Sequence, residues 1–452
     1  MLGSDPRFPH MADALNPAVM GPLLRETLRV SGPQGHEGVI VGEKRYKPGK
    51  SLVISYRIAS KEAPTGQDHL ATARLCPPGE ARSEFERELE RRPVLDQGAL
   101  RFLHEPAMLL WTFPHDRKLI HLPRLLDAAL LPLLLRPSLK VLGVEPARQI
   151  GSVASEVLHY LPERSCMIRY RVQCQNEFTG SDNSVLVYGK NYADDAGEEV
   201  FALMRQLRGQ FNWGAQPLVY DGATRTLWQS HVPGLPLCWA DLDASGGLAV
   251  AGRMGRCVAT LHACTLDTAT RFRQDDVEKA LLQTIELADR TRPEFGPRIS
   301  RAVAALLSHD QSWPEPSIAP IHHDLKLNNF LVDGNALGLI DMDCLCLGDP
   351  LADLAGLIAN LYLNGLREGC HAGRIHPVVR AVVSAYRQAN AHGVPLPRLR
   401  WHVAAALIHE VTRRSLRQLD ERRMEHLPAY LKLSETFADL ARKPEQDTDE
   451  VI

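Results

Sequence analysis

The sequence predicts an α+β fold, with strand-rich segments in its first half and helices dominating its second. Three observations point there. A strand–turn–strand pattern around Tyr46 returns around Tyr160, an apolar loop–strand–turn–strand segment runs from Ile321 to Asp341, and beyond Pro350 apolar residues recur at helical spacing.

From Val39 to Ile58 an apolar run, the turn Lys47-Pro48-Gly49-Lys50 and a second apolar run read as a hairpin. Tyr46 to Ile58, YKPGKSLVISYRI, aligns with Tyr160 to Val172, YLPERSCMIRYRV, at a constant offset of 114 (160 − 46) with six identities in thirteen positions. Average composition would give about one, so the chain contains an internal repeat. Each hairpin is followed by a further strand (Leu70 to Leu75; Ser184 to Lys190) and an acidic helical stretch (Glu80 to Glu90; Asp194 to Arg208). Each copy then offers another strand pair, with Asp116 to Ile120 resembling Ala223 to Trp228. At offset 114 the first copy has Cys76 where the second has Lys190.

In the second copy Val200, Leu203, Met204 and Leu207 form an apolar stripe on the helix that follows Lys190. Glu199 falls about 100° from Val200 and Glu198 about 200°, so Glu199 sits slightly nearer the buried edge, with Glu198 still open as the ion-pair partner of Lys190. The tip Leu161-Pro162-Glu163-Arg164-Ser165 carries no glycine-rich loop, and Arg164 or the amides around Ser165 are its candidate phosphate contacts. Trp228 to Gly234 reads as a linker, and Leu248 to His262 as a helix ending in a packed histidine.

The segment from Ile321 to Asp353 holds the chemistry. Its first half is His322-His323-Asp324-Leu325-Lys326-Leu327-Asn328-Asn329, an H-x-D-x-x-x-x-N spacing followed by Phe330-Leu331-Val332. After a turn at Asp333-Gly334-Asn335, the strand Leu339-Ile340 ends in Asp341. Such a hairpin puts one carboxylate and two hard oxygen donors, Asp324 with Asn329 and Asp341, into one small volume. Transfer of a phosphoryl group from a nucleotide asks for little more: a carboxylate to take the acceptor hydroxyl's proton, and oxygen ligands for magnesium bridging the phosphates.

The segment resembles the catalytic and metal-binding loops of the protein-kinase-like superfamily, especially its aminoglycoside phosphotransferase and choline kinase branch. His322, Asp324, Asn329, Asp341, Gly348-Asp349-Pro350 and Asp353-Leu354-Ala355 carry the resemblance. It implies a bilobal fold with three parts: a degenerate N-terminal repeat lobe (1–140), a small β-rich nucleotide lobe (141–230), and a mostly helical catalytic and substrate lobe (231–452). It further implies Asp324 as base, Asn329 and Asp341 as Mg2+ ligands, Lys190 as the cation on the α- and β-phosphates of ATP, Lys326 on the transferred phosphate, and His322 as a brace of the loop. GTP stays open as donor. The acceptor is a small-molecule hydroxyl, with a sugar, an amino alcohol and an aminoglycoside all open. Two rivals remain: a pseudokinase or nucleotide-binding scaffold, and a Ser/Thr protein kinase. Asp341-Met342-Asp343 in place of Asp-Phe-Gly and the missing Ala-Pro-Glu anchor stand against the second.

At 452 residues, 44% hydrophobic and 23% charged, the chain has material for a large core. A net charge of −2 gives no general attraction to nucleic acid or an anionic membrane. Nine scattered cysteines read as free thiols in a reducing compartment, hence a cytoplasmic protein. Cys344-x-Cys346 is too small a set for a zinc site and reads as packing. No secretory signal and no membrane span is legible, since the greasiest run, Ala128 to Leu135, is broken by Pro132. The extra lobe is left as a cap over the substrate cleft or a dimer surface for a homo-oligomer. Helices are expected over Leu351 to Leu366, Pro377 to Ala391 and Leu399 to Leu419, the last with Arg413, Arg414 and Arg417 on a solvated basic face. The tail from Lys443 reads as polar and unstructured.

Overall fold

The structure is a computed structural model describing residues 5–30, 38–59, 69–92, 98–144, 149–175, 182–309, 313, 317–390 and 393–443. The tail beyond Lys443 and Ala391 lie outside these residues. Two units are present, one of Met1–Glu198, Leu218–Ser230 and Arg417–Leu419, the other of Glu199–Pro217, His231–Leu416 and Asp420–Ile452.

The first unit follows one plan twice. Helices α1 (Met11–Ala14) and α2 (Pro17–Leu28) lead into β1 (Val39–Lys47), β2 (Ser51–Ile58) and β3 (His69–Leu75), then α3 (Ala81–Arg91), β4 (Leu100–Leu103) and β5 (Met108–Thr112). The second run is α4 (Leu122–Leu125), α5 (Leu131–Val141), β6 (Gln149–Leu161), β7 (Ser165–Gln175), β8 (Asp182–Tyr192), α6 (Ala196–Leu207), β9 (Pro217–Asp221) and β10 (Thr226–Ser230). The strand orders are β1-β2-β3-β5-β4 and β6-β7-β8-β10-β9, so the repeat seen in one hairpin extends over both five-stranded sheets.

Alternation decides which face is covered. Leu52, Ile54, Tyr56 and Ile58 recur at period two and pack beneath Met11, Ala14, Met20 and Leu24 of the leading helices. Cys166, Ile168, Tyr170 and Val172 do the same beneath Leu122, Leu125, Leu131 and Leu135. Each such side chain contributes about 1.5–3 kcal/mol by leaving water. On the opposite face of the first sheet α3 sets Ala81, with Phe85 and Leu89, against Leu109 and Trp111. The stripe Val200, Leu203, Met204 and Leu207 is buried on α6, as its spacing predicts.

One polar latch is built twice. The Tyr46 hydroxyl and the Gly49 amide both donate to Asp5 Oδ2, each at 2.7 Å, and the Tyr56 hydroxyl donates to the Ala14 carbonyl at 2.6 Å. In the second copy the Tyr160 hydroxyl and the Glu163 amide donate to Asp116 Oδ2 at 2.6 and 3.0 Å, and Tyr170 donates to the Leu125 carbonyl at 2.9 Å. Asp116 therefore opens the second copy's helical preface, as Asp5 opens the first. The sequence-based pairing of Asp116 to Ile120 with Ala223 to Trp228 does not hold, because the strands matching β9 and β10 are β4 and β5.

Register corrects a second equivalence. Val53 faces Arg74 across β2 and β3, and Met167, its counterpart at offset 114, faces Lys190 across β7 and β8. Arg74, not Cys76, thus occupies the Lys190 position. The connection after the second strand is two residues longer in the second copy, so the offset there becomes 116 (190 − 74).

The second unit comprises β11 (Leu235–Pro236), α7 (Trp239–Asp243), α8 (Gly247–His262), α9 (Gln274–Thr291), α10 (Gly296–Leu307), β12 (Ala319–Ile321), β13 (Phe330–Asp333), β14 (Ala336–Leu339) and β15 (Cys346–Gly348). Helices α11 (Pro350–Arg367), α12 (Ala372–Ala389), α13 (Leu396–Ala406), α14 (Arg413–Arg417), α15 (Glu421–Met424) and α16 (Leu427–Ala441) follow. Leu407–Thr412 between α13 and α14 is a widened π-helical turn. All nine cysteines are free thiols.

Helices α8 and α12 approach most closely at Gly255, where a Cβ would lie 2.2 Å from the Val382 carbonyl oxygen and 3.0 Å from the Tyr386 amide nitrogen. Backbone on both sides leaves the extra carbon no room. Gly255→Ala is therefore expected to destabilise the protein by at least about 1–3 kcal/mol, read as a lowered denaturant midpoint; an unchanged midpoint would show that the helices separate at no cost.

Candidate active site

Two short ladders bracket the segment that the sequence singled out. Below, β12 pairs antiparallel with β15, Ile321 facing Cys346. Above, β13 pairs with β14 from Phe330 opposite Leu339 to Asp333 opposite Ala336. The two-residue turn between them is Gly334-Asn335, and Gly334 has φ +54°, the left-handed conformation such turns require. Loops 322–329 and 340–345 are held between the ladders. Across them the Ile340 amide donates to the Asn329 carbonyl at 2.9 Å, so Asn329 and Asp341 leave the same end of the hairpin.

The clamp on the first of these loops is the buried Asp353 carboxylate, 3% exposed in the first turn of α11. It accepts from the His322 amide at 2.8 Å, the His323 amide at 2.7 Å and His262 Nε2 at 3.1 Å. With that tautomer, His262 Nδ1 accepts from the Tyr386 hydroxyl at 2.8 Å. Burial opposes the charge, but His262, His322 and the amide donors together hold the carboxyl below its usual range. His322 Nε2 donates to the Ile340 carbonyl at 3.0 Å, a bracing position, so the loop carrying Asp324 and the loop carrying Asp341 are tied through one side chain.

Asp349 is spent on structure. One oxygen caps α11 through the Leu351 amide at 2.9 Å, and the other accepts from Arg398 and from His402 Nε2 at 2.9 Å. Against the effect of burial, His402 and Arg398 bring its pKa down to about 2. The Gly-Asp-Pro and Asp-Leu-Ala signatures therefore seat the loops; neither carboxylate faces outward.

Asp324, Asp341 and Asp343 converge on the Cys344 thiol, which burial and then these three carboxylates push up to about 11. Cys346 is pushed up to about 12, chiefly by burial. Both are protonated thiols packed in place. Asp341, two residues beyond the end of β14, has φ +71°, a left-handed conformation that costs a non-glycine residue about 1–2 kcal/mol. The Asn329 side-chain amide donates to the Asp324 carbonyl at 3.0 Å, which leaves its oxygen as the acceptor of that group. Asn329 and Asp341 are hard oxygen donors, and Mg2+ commonly takes one or two protein oxygens and fills the rest with water and phosphate. The donor set fits that ion. Among the described residues no three acids, histidines or cysteines form a closed metal cage.

Asp324 is held from both sides. Lys326 Nζ donates to Oδ2 and Arg414 Nη2 donates to Oδ1 at 2.8 Å. Burial alone would raise the carboxyl, yet these two cations hold it below its usual range. The expectation of a solvated basic face fails for Arg414, because the π turn rotates α14 and points this side chain at the catalytic loop. Arg413 instead donates to the His409 carbonyl at 2.9 Å and to Gln283 at 3.2 Å.

Glu410, which the sequence reading missed, lies within the π turn. Its carboxylate oxygens stand 3.1 Å from where a Gly356 Cβ would be, so that glycine makes room for it. Burial raises its pKa to about 7, with Asp324 and Asp353 adding to the rise and Arg414 opposing it.

In the first unit Lys190 is buried on β8, its ammonium 5.8 Å from the centre of the Tyr192 ring. Glu199, in the second unit, is exposed and accepts from the Thr270 hydroxyl at 2.7 Å.

Strand-rich and helical parts of this kind, with a catalytic hairpin after the second sheet, define a protein-kinase-like α+β fold. More particularly, residues 192–377 match the phosphotransferase enzyme family, APH, a span that contains Glu199, Asp324, Lys326, Asn329 and Asp341 and begins just beyond Lys190. The resemblance to the aminoglycoside phosphotransferase and choline kinase branch is thereby borne out, and it supports a small-molecule phosphotransferase. A candidate aminoglycoside phosphotransferase from Ralstonia eutropha JMP134 shares the fold at 14% identity and TM-score 0.50, over 66% of this chain and 95% of that one. A choline/ethanolamine kinase family protein from Mesorhizobium loti is 16% identical over 65% of this chain and 89% of its own, at TM-score 0.43. A choline kinase from Cryptosporidium parvum Iowa II is 12% identical over 65% and 92%, at TM-score 0.46. No curated protein matches the chain by sequence.

The Glu410 carboxyl gives a pH prediction. Its folded pKa, about 7, lies above its ordinary 4.5, so ionisation works against the fold as pH rises through this window and has no effect below it. Glu410→Gln should leave the melting temperature unchanged near pH 4.5 and raise it at pH 8, by about 2–4 °C for each kcal/mol relieved. An equal shift at both pH values would show that the carboxyl is not perturbed.

Proposed function

We propose that this protein transfers the γ-phosphoryl group of ATP to a hydroxyl of a small molecule. One observation carries the reading: Asp324, Asn329 and Asp341 are gathered by two ladders and one buried carboxylate, inside the span that matches a phosphotransferase family. In this reading Asp324 accepts the proton of the attacking hydroxyl. Asn329 and Asp341 hold Mg2+, which when bound neutralises charge on the donor's phosphates. Lys190 is the cation for the α- and β-phosphates, with Glu199 on the helix after it, and Lys326 turns from Asp324 to the transferred group. GTP is the alternative donor, and a sugar, an amino alcohol and an aminoglycoside are the acceptor classes to test.

Free thiols at all nine cysteines accord with a cytoplasmic setting. Among the described residues no helix is long and apolar enough to cross a membrane.

A second reading, a nucleotide-binding scaffold without turnover, draws support from the two cations on Asp324. A base with both oxygens occupied must lose a donor before a hydroxyl can reach it. Phosphate supplies the exchange: Lys326 and Arg414 find competing oxyanions on the donor, and Asp324 is released as they turn.

A coupled assay of nucleotide consumption across small hydroxyl compounds, beside thermal shift with magnesium nucleotide, separates the readings. Stabilisation by nucleotide without consumption of it by any acceptor would favour the scaffold. Asp324→Asn should lower kcat by about 10²–10⁴-fold while nucleotide affinity changes little, since the base acts only as the proton moves; wild-type turnover would remove Asp324 from the chemistry. Asp341→Ala should abolish the magnesium dependence of nucleotide binding in calorimetry, because a cation held by few protein oxygens tolerates the loss of one poorly. Unchanged affinity would transfer the ligand role to Asp343.

A further inference from the structure

Glu163 stands out in the first unit. It lies at the tip of the second copy's hairpin with φ +57°, in the position that Gly49 holds at φ +62° in the first copy, at the same offset of 114 (163 − 49). A glutamate there carries a backbone cost that glycine does not. Its side chain is nevertheless 2% exposed and ringed by cations of the first copy and of the segment that opens the second. Arg117 forks onto both oxygens, at 2.7 and 2.9 Å, and Arg45 and Arg74 each reach Oε2 at 3.5 Å. Arg164 and Arg417 add further positive charge around Arg45, and Arg417, Lys118 and Lys50 around Lys47. Glu163 is the carboxylate that all three arginines reach, while Glu88 and Asp116 add negative charge near Arg117.

Arg45 and Arg74 stand in one cross-strand row through Val53, on the face of the first sheet away from α1 and α2. The corresponding row of the second sheet is His159, Met167 and Lys190. We infer that the first copy keeps an oxyanion site at the register position where the second copy carries Lys190, and that Glu163 fills it as a built-in substitute for a phosphate group. Calling the site phosphate-like rests on the reading of Lys190 as a phosphate cation; the anion site itself stands on the arginines alone. The strained turn, the bidentate arginine and the buried charge have one cause. The second copy's hairpin, which in a nucleotide lobe would cover phosphates, is anchored instead by its tip in the first copy, which accordingly takes no nucleotide of its own.

The full chain carrying Glu163→Gly tests this, since Gly49 shows that the turn accommodates glycine. Removing the carboxylate should open a site for inorganic pyrophosphate. At a pyrophosphate concentration a hundredfold above the dissociation constant, the variant's Tm should rise by about 5–10 °C, well beyond any shift of the wild type. The response should survive addition of Lys190→Ala and disappear on addition of Arg74→Ala, so a failed Lys190 assignment and a failed anion site give different results. A variant no more responsive than wild type, or a response that outlasts Arg74→Ala, would overturn the inference. Should Glu163→Gly not fold, Glu163→Gln removes the charge alone: its Tm should fall, and phosphate should recover it more than chloride at equal ionic strength. Equal recovery by both salts would also overturn it.

Discussion

The second unit is organised by the carboxylate of Asp353. It is placed by the first turn of α11, whose start is set by Asp349 as cap and Pro350 at the first helical position. From there it takes two successive backbone amides, of His322 and His323, and one imidazole. An ion buried this deeply is tolerated only when its oxygens are supplied with donors, and the donors are thereby fixed in space. His323 itself has φ +58°, so the chain turns sharply just after the second of these amides. Asp324 leaves that turn in a direction the loop alone would not hold.

In the first unit the corresponding constraint is the aspartate that precedes each helical preface. Asp5 and Asp116 each join a tyrosine hydroxyl of a hairpin strand to the amide at the hairpin tip, and so set where the leading helices lie on the sheet. The copies diverge in what that amide belongs to. Where the first has glycine, the second has a glutamate whose carboxylate meets Arg117, the residue next to the latch. Duplication supplied two equal turns, and one substitution made a tie from the spare.

The catalytic segment is legible in the sequence because its chemistry lies in one contiguous stretch and its hairpin is set by a two-residue turn with a glycine. The repeat is legible only in part. A comparison at one offset catches the hairpins, where Tyr, Pro, Ser, Ile, Tyr and Arg coincide, but the offset is 111 between Asp5 and Asp116 (116 − 5) and 116 between Arg74 and Lys190 (190 − 74). Loops of unequal length move the phase, so the helical prefaces and the Arg74 equivalence are lost to it. Arg414 and Glu410 are hidden for a different reason. They lie far along the chain from Asp324, in a helix where the periodic pattern predicts a basic outer face. The π turn inserts one residue's worth of rotation, about 100°, and everything after it faces elsewhere.

That rotation also accounts for the charge state of the site. Asp324, Asp341 and Asp343 crowd one thiol, and unopposed they would repel an anionic nucleotide and one another. Lys326 and Arg414 offset the carboxylate of Asp324, and burial raises the pKa of Glu410 to about 7. The site thus has cations beside Asp324, and the carboxylate of Asp341 beside Asn329 at the end of the hairpin. Arg414 lies where it does because of the π turn, and Glu410 because Gly356 offers no side chain. In the proposed mechanism a phosphate that draws off Lys326 and Arg414 would uncover Asp324, so exposure of the proposed base would be coupled to occupancy by the donor. With both cations in place, each oxygen of Asp324 already has a donor.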